Sequence, residues 1–130
     1  MKLLLDTHIW LWWINAEDHL PSSHRQQIAQ AEVISISVIS AWELVMLHKR
    51  GRIQLPDPME IWFNQALQGS GISCLPCSIT VATRAATLPA HHRDPADRFI
   101  IATALEYGYH LMSFDNKFIL YEELQGWHIR

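Results

Sequence analysis

Apolar residues along this chain come in two alternating rhythms. Short unbroken runs (KLLL near the start, then VISIS, GISCL and YHLMS) are bounded by polar or turn residues and predict buried strands. Between them, apolar positions recur at helical spacing. They predict helices from Ile9 to Asn15, Ser22 to Ala31, Val38 to Arg50, Met59 to Leu67 and Ile79 to Leu88, and one running from Asp94 to near Gly108. The stretch from Asp115 to Leu124 reads as mostly helical, GRIQLPDP as a turn region, and WHI as a short last strand. Strands taking turns with helices predict an α/β fold. Its central sheet is short and mostly parallel, and helices cover both faces in a three-layer α/β/α arrangement. No internal repeat, low-complexity tract or linker divides the chain, so residues 1–130 are expected to form a single domain.

Composition narrows the class without naming a chemistry. With 49% apolar and 18% charged residues, the chain has the makings of a globular core rather than of a disordered segment. A formal charge of −3 argues against a protein that coats nucleic acid with a basic surface. It leaves room for an enzyme that grips phosphates through bound metal ions. The run LLLDTHIWLWWI has the look of a secretion signal, but Asp6 and His8 interrupt it and no small-residue cleavage site follows. It is also too short to span a bilayer, so a cytoplasmic protein with no membrane attachment is expected. Cys74 and Cys77 form a C-x-x-C pair, yet zinc would need two more ligands at suitable spacing, and His91 and His92 are adjacent. Buried thiols near a strand end are expected there. Trp10, Trp12 and Trp13 occupy both faces of one short helix, which predicts core packing for some and an interface for others.

The acids carry the argument further. In a parallel sheet, ligands bind outside the carboxyl ends of the strands. Asp6 directly follows KLLL and Asp115 follows YHLMS by two residues, so both belong to that edge. A helix that feeds a parallel strand must begin there too, which brings in Asp94 and Asp97 at the head of HRDPADRFIIATA. The helix after VISIS starts at the same edge with Ser37 as its cap, placing Glu43 within two turns of it. Each acid has an ordinary explanation. Asp6 and Asp115 suit turns, Glu43 suits a capping box with Ser40, Asp94 is a good N-cap ahead of Pro95, and Asp97 favours the helix dipole. Together they are hard to dismiss. Glu43 shares a helical face with Ile39 and Met46 and has no Lys or Arg within a turn before it or five residues after. Several carboxylates converging without cations would repel one another unless a divalent ion neutralised them. An all-oxygen site with open positions suits Mg²⁺ or Mn²⁺, whose characteristic chemistry in such sites is phosphoryl transfer or phosphodiester hydrolysis.

The order LLLDTHIWLW, then SAWEL, then HRDPADRFIIATA, then SFD resembles the PIN-domain ribonucleases, and among them the VapC-type toxins of bacterial toxin–antitoxin pairs. The resemblance covers essentially the whole chain. It implies a PIN-like fold in which an acidic quartet, here Asp6, Glu43, Asp97 and Asp115, binds Mg²⁺ or Mn²⁺ and cleaves RNA. It further implies that Thr7 and Ser113 are the hydroxyl neighbours of the first and last acids, although Ser113 stands where many relatives carry threonine. Asp94 then caps the helix and leaves Asp97 free for the metal, with a place for Asp94 in the site itself still open. Arg98 either contacts RNA phosphate or pairs with an acid. Lys49, Arg50, Arg52, Arg93 and Lys117 are candidate rim cations for RNA. A homodimer and an antitoxin protein lying over the acidic groove complete what the resemblance implies.

Rival readings fit less well. A dehalogenase-like phosphatase needs a second acid two residues after Asp6, where His8 stands, and a dinucleotide-binding module needs a G-x-G-x-x-G that is absent. A response-regulator receiver would need an acid pair beside Asp6. The alternative that survives is a catalytically silent PIN fold that serves as a protein-binding module.

Overall fold

The computed structural model describes residues 1–130. Five strands form one sheet: β1 (Lys2–Leu5), β2 (Val33–Ser37), β3 (Ser73–Leu75), β4 (His110–Met112) and β5 (His128–Ile129). Their spatial order is β3-β2-β1-β4-β5, and every neighbouring pair is parallel. Six helices accompany them: α1 (Thr7–Ile14), α2 (Ser22–Gln30), α3 (Val38–Lys49), α4 (Met59–Ser70), α5 (Ile79–Thr87) and α6 (Pro95–Tyr107). The two rhythms of the sequence thus become a parallel α/β sheet, as expected.

The central strand shows why the layers number three. Leu3, Leu4 and Leu5 of β1 are all fully buried, but the pleat sends them to opposite faces. Leu4 joins Val81, Ala85, Ile100, Ile101 and Leu111 in the core beneath α5 and α6. Leu3 and Leu5 join Ile9, Trp10, Ile28, Ile36 and Leu44 in the core on the other side. Trp10 is wholly buried, whereas Trp42 and Trp127 stay exposed.

Two expectations need correction. The stretch after Asp115 is not α-helical. It forms two short 3₁₀ turns, Asn116–Leu120 and Glu122–Leu124. Its buried residues Phe118, Tyr121 and Leu124 recur every third position, which matches the three-residue 3₁₀ turn rather than 3.6. The thiols are also not buried. Cys74 is exposed and Cys77 only half-buried, because β3 is an edge strand with one neighbour. Smaller shifts occur at element ends, chiefly in α1, which begins at Thr7 with no residue to spare after Asp6. No helix is long and apolar enough to cross a membrane.

Candidate active site

The carboxyl edge of the sheet gathers acids from four segments, each placed by local backbone chemistry. Asp6 is the N-cap of α1, and its Oδ1 accepts from the Thr7 N–H at 2.8 Å. Its Oδ2 accepts from the Ser113 hydroxyl at 2.7 Å, a link that joins the ends of the adjacent strands β1 and β4. Ser37 caps α3 through the Ile39 N–H, so Glu43 lies inside that helix as expected, not in a capping box. The Thr7 hydroxyl donates to Glu43 Oε1 and stands 2.9 Å from the Ser40 hydroxyl. This small polar cluster substitutes for the missing cation beside Glu43. Asp94 caps α6 by accepting from the Ala96 N–H at 3.0 Å, with Pro95 at the first helical position. Asp97, in the first turn of α6, is left free of capping duty.

One acid is common to two clusters. Ligand atoms of Asp6, Glu43 and Asp97 all lie within 4.8 Å of one another, and so do those of His92, Asp97 and Asp115. Asp115 therefore meets the other acids through Asp97 and His92. All of them except His92 line one cleft of about 400 Å³, whose remaining wall is His8, Ile9, Trp12, Phe114 and Asp94. Asp94 thus stands on the rim of the site while serving as a cap. Arg50 borders the adjoining depression beside Glu43 and Trp42.

The electrostatics follow from burial and like charge. Burial pushes the Asp97 carboxyl up to about 8, with Asp6, Glu43, Asp94 and Asp115 adding to the effect. Glu43 is raised to about 7, again chiefly by burial, against the opposing hydrogen bond from Thr7. Asp6 is also raised, mainly by burial, although Ser113 and the Thr7 N–H partly offset it. Asp115 goes the other way. Burial would raise it, but the hydrogen bonds from His92 and the Lys117 N–H outweigh that cost and hold it below 3.8. Three acids that resist ionising together, all offering oxygen, form a donor set suited to a hard divalent cation. The residues present therefore fit Mg²⁺ or Mn²⁺.

Two residues depart from expectation. Arg98 touches neither acid nor cleft. Its guanidinium donates to the carbonyls of Pro89, His92, Ala86 and Leu88, bracing the loop between α5 and α6. His92, considered in the sequence only as a zinc ligand for the cysteines, is instead buried between Asp97 and Asp115. No local pattern could have flagged it, since Asp115 lies 23 residues away.

Comparison with known proteins agrees with this architecture. The family model for the PIN domain matches residues 3–124. Ribonuclease VapC22 of Mycobacterium tuberculosis is 34% identical over 116 residues, 88% of each chain. Among solved structures, the chain is similar to the VapBC2 complex of Rickettsia felis bound to a promoter DNA fragment. The TM-score is 0.68 at 19% identity, covering 95% of this chain and 96% of that one. A toxin–antitoxin complex from Klebsiella pneumoniae gives a TM-score of 0.66 at 18% identity, covering 98% and 96%. At such identities these structures speak to the fold.

Proposed function

Since this chain belongs to the PIN-domain family, we propose that it is a divalent-metal-dependent ribonuclease, the toxin of a toxin–antitoxin pair. The observation that carries the reading is the meeting of Asp6, Glu43 and Asp97 within 4.8 Å, from three separate elements, on a cleft open at the carboxyl edge. Asp6, Glu43 and Asp97 would hold Mg²⁺ or Mn²⁺, with Asp115 completing the quartet from the far side of Asp97. In phosphodiester hydrolysis, a carboxylate-held divalent cation supplies an activated water and offsets the charge building on the phosphate.

The rest of the work belongs to the chain itself. Thr7 aims Glu43 and Ser113 aims Asp6, each by a hydrogen bond to a carboxylate oxygen, so neither acid has to search for its orientation. Arg50 at the rim offers a positive charge to the RNA backbone, and the net charge of −3 keeps long-range capture weak. An antitoxin protein covering the cleft, in keeping with the toxin–antitoxin complexes that share this fold, a homodimeric assembly and a cytoplasmic setting complete the proposal.

RNA cleavage by the purified chain, freed of any partner, tests this directly. EDTA should abolish it and Mg²⁺ or Mn²⁺ should restore it. Cleavage that persists in EDTA, or none with either metal, overturns the reading.

A further inference from the structure

His92 is only 7% exposed, yet it stands among carboxylates rather than in the apolar core. Its place is fixed twice. The backbone N–H donates to the Tyr121 hydroxyl at 2.9 Å, and the ring meets Phe118 edge to face with centroids 5.8 Å apart. The two ring nitrogens then divide their tasks. Nδ1 accepts from the Asp94 N–H at 3.3 Å, and a nitrogen that accepts carries no proton. The ring proton therefore sits on Nε2, which is 2.9 Å from Asp115 Oδ2 and 3.0 Å from Asp97 Oδ2. The proton is donated to Asp115, while Asp97 lies in contact with the same nitrogen without accepting from it.

The other oxygen of Asp115 already accepts from the Lys117 N–H at 2.8 Å, so its carboxylate plane is set by these two contacts. Asp97, whose Oδ2 lies 3.0 Å from the same Nε2, accepts no hydrogen bond from the protein. A nitrogen bearing a proton has no lone pair to give a metal, which excludes a ligand role for Nε2 in this arrangement.

We propose that His92 is a positioning residue: its Nε2–H, directed by the Asp94 amide on Nδ1, fixes the Asp115 carboxylate beside Asp97 and aims it into the cleft before a cation binds. The N-cap of α6 thereby orients the imidazole, and the imidazole orients Asp115. This rests on reading the cleft as a divalent-metal site. Groups that orient metal ligands in this way are typically worth roughly 10–100-fold in metal affinity.

Two measurements test it without relying on RNA cleavage. In the wild-type protein with Mg²⁺ bound, long-range proton–nitrogen NMR correlations should show the His92 proton on Nε2. A proton on Nδ1 overturns the proposal. Mn²⁺ affinity, read from the EPR signal of free Mn²⁺, should fall roughly 10–100-fold in His92→Leu. It should recover most of that loss in His92→Gln, whose amide N–H reaches the Nε2 position. An unchanged affinity in His92→Leu, or an equal loss in both variants, overturns the idea. Should His92→Leu fail to fold, the wild-type tautomer and the Gln variant still decide it. A wild-type chain that binds Mn²⁺ but cuts no RNA would overturn the proposed function and leave this inference standing. A wild-type chain that binds no Mn²⁺ would overturn both.

Discussion

Arg98 follows Asp97 in the chain, yet its guanidinium turns away from that carboxylate and is spent on four main-chain carbonyls. Nη1 donates to Pro89 and His92 at 3.0 and 3.3 Å, and Nη2 to Ala86 and Leu88 at 3.3 and 2.7 Å. The carbonyls it satisfies include those at the C-terminal end of α5, where intrahelical partners run out. A cation beside a raised acid therefore does nothing direct for it. Arg98→Met should cost roughly 2 kcal/mol of stability, read as a lower urea midpoint, while leaving Mn²⁺ affinity within a few-fold of wild type. Lysine should not rescue it, because one ammonium cannot serve four acceptors spread along a loop. A variant of wild-type stability that loses RNA binding would return Arg98 to the substrate.

Asp94 and Asp97 should separate cleanly under amide substitution. Asp94→Asn keeps an oxygen for the Ala96 N–H and should retain most of the stability and much of the cleavage rate. Asp94→Ala should lose about 1 kcal/mol. Asp97→Asn should cost several orders of magnitude in rate while the metal-free fold stays intact, since a neutral amide suits a position where burial and like charge already push the carboxyl up to about 8. Cleavage at saturating Mn²⁺ and thermal unfolding in EDTA check all three. Activity in Asp97→Asn and none in Asp94→Asn would reverse the roles of cap and ligand.

Stability without metal should depend on pH in an unusual direction. Asp97 and Glu43 bind their protons more tightly in the fold than in the unfolded chain, at about 8 and about 7 against 3.8 and 4.5. Their stabilising contribution is complete below the unfolded values and drains away as pH rises through the folded ones. The melting temperature in EDTA should therefore fall between roughly pH 5 and pH 8. Saturating Mn²⁺ should flatten or reverse that slope, because it favours the ionised acids. Asp115, shifted below 3.8, acts only in more acidic solution. A melting temperature that rises with pH in EDTA would contradict the raised values.

Asp6→Asn tests the other end of the cluster. Its remaining carbonyl oxygen still caps α1, and the Ser113 hydroxyl can turn to accept from the new amide. The metal-free melting temperature should stay at or above that of wild type. Mn²⁺ at about 100 times the wild-type Kd stabilises the native protein by about 2.7 kcal/mol, and Asp6→Asn should lose most of that gain. A large drop without metal would make Asp6 chiefly structural.

What could be read from the sequence was what is settled within a few residues. The N-cap at Asp94, the strand-end position of Asp6 and the interior place of Glu43 all depend on nearby backbone and periodicity, and all hold. The parallel sheet followed from alternation alone. The misses share one cause. Arg98 binds carbonyls, which every residue carries and no side-chain pattern marks. His92 earns its place through Asp115, and the exposure of Cys74 comes from β3 lying at the sheet edge. The 3₁₀ turns after Asp115 are a different case, because the three-residue spacing of Phe118, Tyr121 and Leu124 is a local signal of that geometry.

The bond between Asp6 and Ser113 spans 107 residues, and it ties the central strand to a neighbour formed almost last. During synthesis, β1 emerges first and has no β4 to pair with. Asp6 then lacks its hydroxyl partner, and Asp97 and Asp115 do not yet exist. A half-made chain therefore holds no assembled acid cluster at all. For an enzyme that cuts RNA, the cutting site is thus among the last parts of the chain to be completed: its acids meet only once Ser113 and Asp115, just beyond β4, have been made.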